Sequence, residues 1–189
     1  MILGLVLFLG VHTLTTRRDL RARLIASTGE GGYKIGYALV SLVGLALIVW
    51  GFAHYRAAGM WPVWTPPSAL KHVTVALMLP AVILVVAAYI RGRIYTAVKH
   101  PMLTGVKLWA AAHLIANGDL GGIILFGSFL AWAVFDRISL KRRADAGAPP
   151  IPVGGVSNDL IAVAVGIVAY LALGFAFHPV VIGIPVFGA

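Results

Sequence analysis

Six long apolar segments divide the chain, separated by connections that carry most of its charge or are rich in Pro and Gly. The segments cover approximately residues 2–16, 35–54, 70–90, 102–117, 120–136 and 158–178. Each is a continuous apolar block of roughly 15 to 21 residues, which is typical of membrane-spanning helices and lacks the alternation of outer-membrane barrel strands. We therefore expect an all-α integral membrane bundle of six transmembrane helices, built as a single domain over residues 1–189.

Composition excludes several classes of protein and of site. Hydrophobic residues make up 60% of the chain and charged residues 11%, a balance that does not describe a soluble core. The absence of cysteine excludes thiolate metal sites, iron–sulfur clusters, covalently attached haem and disulfides. Carboxylate pairs within the membrane are not expected either, because the acidic residues all lie in connections or at helix ends. They are Asp19, Glu30, Asp119, Asp136, Asp145 and Asp159.

Basic residues are concentrated in alternate connections. The first has Arg17, Arg18, Arg21, Arg23 and Lys34, the third has Arg91, Arg93 and Lys99, and the fifth has Lys141, Arg142 and Arg143. The positive-inside rule places these connections in the cytoplasm and both termini outside. The net charge of +9 is then explained by topology and by contact with membrane lipid, so nucleic acid is not an expected partner. The sequence leaves the oligomeric state open.

Histidine is the main chemically versatile side chain within the apolar segments. A neutral imidazole costs free energy in hydrocarbon unless something binds it. It is a good ligand for haem iron, copper or zinc, and haem b matches best because no thiolate or carboxylate lies at depth. Three of the histidines lie at outer helix ends, where interfacial hydrogen bonding is expected. Those three are His54, His72 and His178, and the others are His12, His100 and His113.

Helical spacing singles out one imidazole in the first segment and one in the fourth. Each lies on a stripe with a small residue and an aromatic ring, a combination suited to admitting and stacking a macrocycle. A hydrogen bond from the same imidazole to a neighbouring helix is the alternative interpretation. The stripes consist of Gly4, Phe8, His12 and Thr15 or Thr16, and of Gly105, Trp109, His113 and Asn117.

Depth in the membrane bears on which histidines can share one iron. With the cytoplasmic boundary near Arg17 and His100, His12 and His113 differ in depth by about 12 Å at 1.5 Å per residue. A shared iron then requires a ligand axis that leans along the membrane normal, or tilted helices. Depth alone favours pairing His12 with His100, or His54 with His113, and the residues themselves leave this choice open.

Several motifs over nearly the whole chain resemble the NnrU family of bacterial membrane proteins. They are Gly10-Val11-His12-Thr13, Gly29-Glu30, Tyr33-Lys34, Ser41 to Leu45, Lys99 to Asp119, and Leu125 to Trp132. That family is associated with denitrification, and its relatives include the plant zeta-carotene isomerase, a membrane haem b enzyme. The resemblance implies His12 and His113 as axial ligands of haem b, with His54 as an alternate ligand. It also implies nitric oxide or a lipophilic polyene as partner, and leaves open whether the protein is an enzyme.

Two further interpretations concern the start of the fourth segment. Lys107 is a candidate partner for a haem propionate and Trp109 for stacking on the macrocycle. Lys99-His100-Pro101-Met102 followed by Gly105 also resembles an element of the isoprenylcysteine methyltransferases, which bind S-adenosylmethionine, and this keeps His100 as a site candidate. The chain departs from that pattern at Leu103, which replaces an aromatic residue, and by lacking the later glutamate. A non-catalytic assembly protein is the third alternative.

Overall fold

A computed structural model describes residues 1–144 and 154–187 of the chain. Regular structure in these ranges is helical, apart from an isolated antiparallel bridge between Pro62 and Asp119. The α-helices are α1 (Ile2–Thr13), α2 (Arg18–Ala57), α3 (Ala69–Ala87), α4 (Arg93–Val98), α5 (Pro101–Ala116), α6 (Leu120–Ala144) and α7 (Val156–Ala172). A 3₁₀ turn (Leu14–Thr16) follows α1, and a π-helix (Leu173–Ile182) continues α7.

The all-α prediction is confirmed for the described residues, and the helices have the character of membrane spans. Four are long and apolar enough to cross a bilayer, namely Arg18–Ala57, Ala69–Ala87, Leu120–Arg142 and Val156–Ile182. The first apolar segment, Ile2–Thr16, and α5, with 16 residues, are helical but shorter. Six spans and the outward termini therefore stay predictions. The Pro-rich part of the fifth connection, residues 145–153, lies outside the described residues.

Three helical regions extend beyond the predicted segments. The chain is already helical from Arg18, and Gly29, with φ 72° and ψ 165°, interrupts the path before the apolar part of α2 begins. Glycine suits this position because a side chain disfavours positive φ. The short helix α4 lies in the third connection, and the π-helix contains Pro179. The first two regions are not predicted from apolar blocks, because they are charged and have no continuous apolar run.

The helices pack in the spatial order α2, α1, α6, α5, α3 and α7. Small residues allow the closest approaches, as is common between membrane helices. A Cβ on Gly4 would lie 2.7 Å from the carbonyl oxygen of Gly44 in α2, and a Cβ on Gly105 would lie 2.8 Å from that of Ala81 in α3. Both stripe glycines therefore face a neighbouring helix, so the space beside them holds backbone and not the macrocycle that the spacing suggested.

Asp159 and Asn158 tie the start of α7 to the third connection. The Oδ1 atom of Asp159 accepts a hydrogen bond from the backbone N–H of Ile94 in the first turn of α4, at 2.9 Å. The side-chain amide of Asn158 donates to the carbonyl of Arg91, also at 2.9 Å. The first bond satisfies a backbone N–H that the start of a helix otherwise leaves unpaired.

Candidate functional site

Three histidines share one local geometry. In each, Nδ1 lies within hydrogen-bond distance of the backbone carbonyl four residues earlier, and that earlier residue is aromatic. A carbonyl only accepts hydrogen bonds, so a neutral ring must carry its proton on Nδ1 and keep a lone pair on Nε2. This arrangement leaves Nε2 available to a metal or a donor. The bonds are His12 to Phe8 at 2.6 Å, His54 to Trp50 at 2.9 Å and His113 to Trp109 at 2.8 Å.

His113 lies in the last turn of α5, within a group of rings. Its imidazole stacks on Phe126 of α6, with ring centroids 4.6 Å apart and an interplanar angle of 27°. Trp109 packs edge-on against the same Phe126 at 5.1 Å. The ring of His178, in the π-helix, lies 6.2 Å from that of His113, centre to centre, with an interplanar angle of 31°. The C-terminal segment therefore brings a second imidazole to His113.

The separation of His113 and His178 suits two ligands of one metal ion. Imidazole nitrogens bind metals at about 2 Å, so two rings on opposite sides of an ion have their centres about 6 Å apart. The hydrogen bond between Nδ1 of His113 and the carbonyl of Trp109 also leaves Nε2 available to a metal. Local π-helical geometry, as found around His178, occurs often at functional sites. His113 and His178 therefore form a pair of imidazoles with the spacing of two ligands of one ion.

His12 occupies a different place, between α1, α2 and α6. It stacks on Phe8 with centroids 4.2 Å apart, and its other ring neighbours are Tyr37 at 5.2 Å and Trp132 at 5.7 Å. The contact to Phe8 lies within α1, and the contact to Tyr37 places the imidazole against α2. Trp132 presents its ring to it from α6.

The structure does not bring His12 and His113 into ring contact. Through the described residues they are connected by Phe8, Phe129 and Trp109, with centroid distances of 5.7 Å from Phe8 to Phe129 and 5.3 Å from Phe129 to Trp109. Their contacts on α6, Trp132 and Phe126, are separated by about 9 Å along the helix. The two histidines therefore contact different levels of α6, and aromatic side chains lie along the path between them.

The remaining site candidates lie apart from each other. His54 is exposed near the end of α2, and its ring packs on Trp50 at 4.3 Å. His100 precedes α5, where its carbonyl accepts a bond from the N–H of Thr104 at 3.1 Å. Lys107 is half-buried on α5, and no carboxylate in the described ranges lies within ion-pair distance of it. Over the same ranges, no group of three or more His, Cys, Asp or Glu side chains is arranged to hold a metal ion.

An open apolar groove of about 480 Å³ runs between α1 and α6. From α1 it is lined by residues that include Leu9, Gly10 and Thr13, and from α6 by residues that include Ser128 and Trp132. Trp132 belongs both to this groove and to the ring contacts of His12. Trp132 therefore lies between this groove and His12, an arrangement that sequence spacing does not reveal.

Residues 1–186 match the family described as NnrU protein. Neither the curated proteins nor the solved structures contain a match to this chain.

Proposed function

The chain belongs to the NnrU family, and we propose that it binds haem b in the membrane, with His113 as one axial ligand and His178 as the other. The observation that carries this proposal is the 6.2 Å separation of the two imidazole centres, together with the Nδ1 bond that leaves Nε2 of His113 available. Two neutral imidazoles on one haem iron give a low-spin, six-coordinate centre.

The surroundings of His113 support a macrocycle more than a bare ion. Phe126 and Trp109 provide flat apolar surfaces beside the ligand, and haem is an apolar plane with a polar edge. A bare ion has fewer partners here, because metal sites ordinarily take three or four protein ligands. When bound, the haem supplies redox chemistry and the capacity to bind a small gas at a vacated axial position.

His113 and His178 have different roles in the proposed haem site. His113 is held by the carbonyl of Trp109, which fixes its tautomer and direction. His178 lies on a segment bound to α2 through Arg56, whose guanidinium donates to the carbonyl of Ile182 at 2.7 Å. That segment is a π-helix with Pro179 inside it, and a ligand on such a segment is easier to displace than one in a regular α-helix. His178 is accordingly the ligand that we expect to leave when a substrate or nitric oxide binds.

Two biological settings are consistent with an exchangeable haem ligand in a lipid environment. One is the nitrogen-oxide metabolism expected for this family, for which a bound haem would supply a site for nitric oxide once His178 leaves. The other is cis–trans isomerisation of a polyene lipid, for which a bound haem would supply the redox-active iron. In either setting we propose that the protein lies in a bacterial inner membrane.

The ligand pair is tested by comparing His178→Ala with His12→Ala in detergent-purified protein. The absorption spectrum of the reduced protein distinguishes six-coordinate from five-coordinate haem. We expect His178→Ala to bind haem but to lose the sharp α and β bands, and His12→Ala to keep them. The reverse result would assign the second ligand to His12, as the family resemblance implies. His72→Ala, at an exposed position, is the matched control.

A further inference from the structure

The connection between α2 and α3, residues 58–68, presents an apolar and uncharged surface. No charged residue occurs between Arg56 and Lys71. Four large apolar side chains close together in this connection are exposed, and an exposed apolar patch marks contact with a membrane or a partner. Their exposed fractions are 41% for Met60, 73% for Trp61, 59% for Val63 and 40% for Trp64.

Backbone hydrogen bonds fix this connection against the turn between α5 and α6. The N–H groups of Val63 and Trp64 both donate to the carbonyl of Gly118, at 2.7 and 3.0 Å. The carbonyl of Trp61 accepts a bond from the N–H of Leu120 at 2.9 Å. Gly118 suits this contact, because a Cβ there would collide with the carbonyl oxygen of Trp64. The exposed side chains are therefore presented by a backbone that is held in place.

Most residues of the connection have no backbone N–H left to pair. Five residues donate to a carbonyl or a hydroxyl of the protein, and three prolines have no N–H. The donors are Ala58, Gly59, Trp61, Val63 and Trp64, and the prolines are Pro62, Pro66 and Pro67. Irregular backbone is costly away from water because each unpaired group loses a hydrogen bond. This connection therefore leaves water at a smaller cost than an unpaired loop.

The charged groups nearest the connection are compatible with a shallow position in the bilayer. Asp119, which forms the isolated bridge with Pro62, accepts a hydrogen bond from the first turn of α6 at 2.7 Å. The guanidinium of Arg56 donates to the carbonyl of Ile182. Lys71 is exposed just after the connection, and the long stem of a lysine lets its ammonium group reach water from the interface.

We propose that residues 58–68 form an interfacial anchor, which inserts Trp61 and Val63 into the lipid leaflet at this end of the bundle. Tryptophan is enriched at the boundary between head groups and acyl chains, because its ring is apolar and its indole N–H is polar. Trp50, two turns before the end of α2, is 61% exposed, so exposed tryptophans occur before and after that helix end. A water-soluble partner fits less well, because such interfaces have a polar rim.

The anchor also fixes the level of His113 in the bilayer. Gly118, which binds the connection, follows His113 by five residues, just beyond the end of α5. The proposed iron ligand is thus held close to the membrane interface. The anchor itself does not depend on the haem proposal, because it uses neither His113 nor His178.

The depth of a spin label in a bilayer tests the anchor, and the chain has no cysteine to interfere with labelling. The full-length Val63→Cys variant is labelled and reconstituted in phosphatidylcholine. Relaxation of the label by oxygen, which concentrates in lipid, is compared with relaxation by a water-soluble nickel complex. We expect the label about 5–10 Å below the phosphates, which is the usual depth of an interfacial segment. The same depth is expected with phosphatidylglycerol, because the connection carries no charge.

Val43→Cys is the matched control, because it is the same substitution at a residue that is 51% exposed in the apolar part of α2. Its label is expected to lie deeper than that of Val63→Cys. A Val63→Cys label relaxed mainly by the nickel complex would overturn the anchor and leave this surface to a soluble partner. A label shielded from both reagents would also overturn it and would assign the surface to a second copy of the chain.

Trp61→Phe provides an independent measurement that needs no label. The fluorescence lost in this variant comes from Trp61, and we expect brominated lipid to quench it more strongly than iodide in the water. Stronger quenching by iodide would place Trp61 in water and contradict the anchor.

Discussion

The hydroxyl of Thr74 in α3 donates a hydrogen bond to the carbonyl of Ala112 in α5, at 2.8 Å, one residue before His113. The same hydroxyl also lies 3.0 Å from the carbonyl of Leu70 in its own helix. Thr74 is buried, so this bond joins α3 to α5 in a region without competing water. It holds the turn of α5 that carries the proposed iron ligand.

Thr74→Val removes this hydroxyl and preserves the shape of the side chain. We expect a loss of about 1 kcal/mol of stability, because a typical intramolecular hydrogen bond contributes that much. Thermal unfolding in detergent measures the change. An unfolding temperature for Thr74→Val equal to that of the wild-type protein would show that the bond contributes nothing.

Gly44→Ala tests the close contact of α1 and α2. The added methyl group would lie 2.8 Å from the backbone nitrogen of Phe8, which can move only if the helices separate. Overpacking of this kind costs about 1–3 kcal/mol. Gly36→Ala in the same helix meets nothing within 4 Å and is expected to be neutral or slightly stabilising. Similar unfolding temperatures for the two variants would contradict this packing.

Lys107→Met tests the interaction with a haem propionate. The half-buried ammonium group has no described carboxylate partner, and the substitution removes its charge while keeping its length. We expect the variant to retain haem about fivefold less tightly, as for the loss of an ion pair of about 1 kcal/mol. Haem transfer to apomyoglobin measures retention. The exposed Lys71→Met is the control, and unchanged retention in Lys107→Met would exclude the propionate pairing.

Asp159→Ala tests the tie between α7 and α4. It removes the acceptor for the N–H of Ile94 and is expected to cost about 1 kcal/mol, whereas Asp159→Asn keeps an acceptor oxygen. Hydrogen exchange of the amides in Arg93–Val98 reports the local effect. Faster exchange in the Ala variant than in the Asn variant is the expected result, and equal protection of these amides would count against a capping role.

The sequence predicts the helices better than the site. Each apolar block forms a helix because continuous apolar runs in a bilayer must satisfy their backbone groups internally. The charged helix Arg18–Thr28, before Gly29, and α4 were missed, because neither has an apolar run. Spacing marks Gly4 and Gly105 as small residues that could make room for a macrocycle. It could not tell that a neighbouring backbone fills the space beside each of them.

The approach of His178 to His113 could not be predicted from spacing. His178 lies near the end of the last apolar segment, a position that predicts interfacial hydrogen bonding. Its approach to His113 also depends on contacts between distant parts of the chain, such as the hydrogen bond from Arg56 to Ile182, which spacing does not reveal.

The most direct measurement is the absorption spectrum of the detergent-purified wild-type protein and of His113→Ala, each recorded oxidised and reduced. If His113 binds haem iron, the reduced wild type shows sharp α and β bands near equimolar haem, and His113→Ala loses them together with most of its haem. A colourless wild-type protein after haem supplementation, or an unchanged spectrum in His113→Ala, would contradict the account.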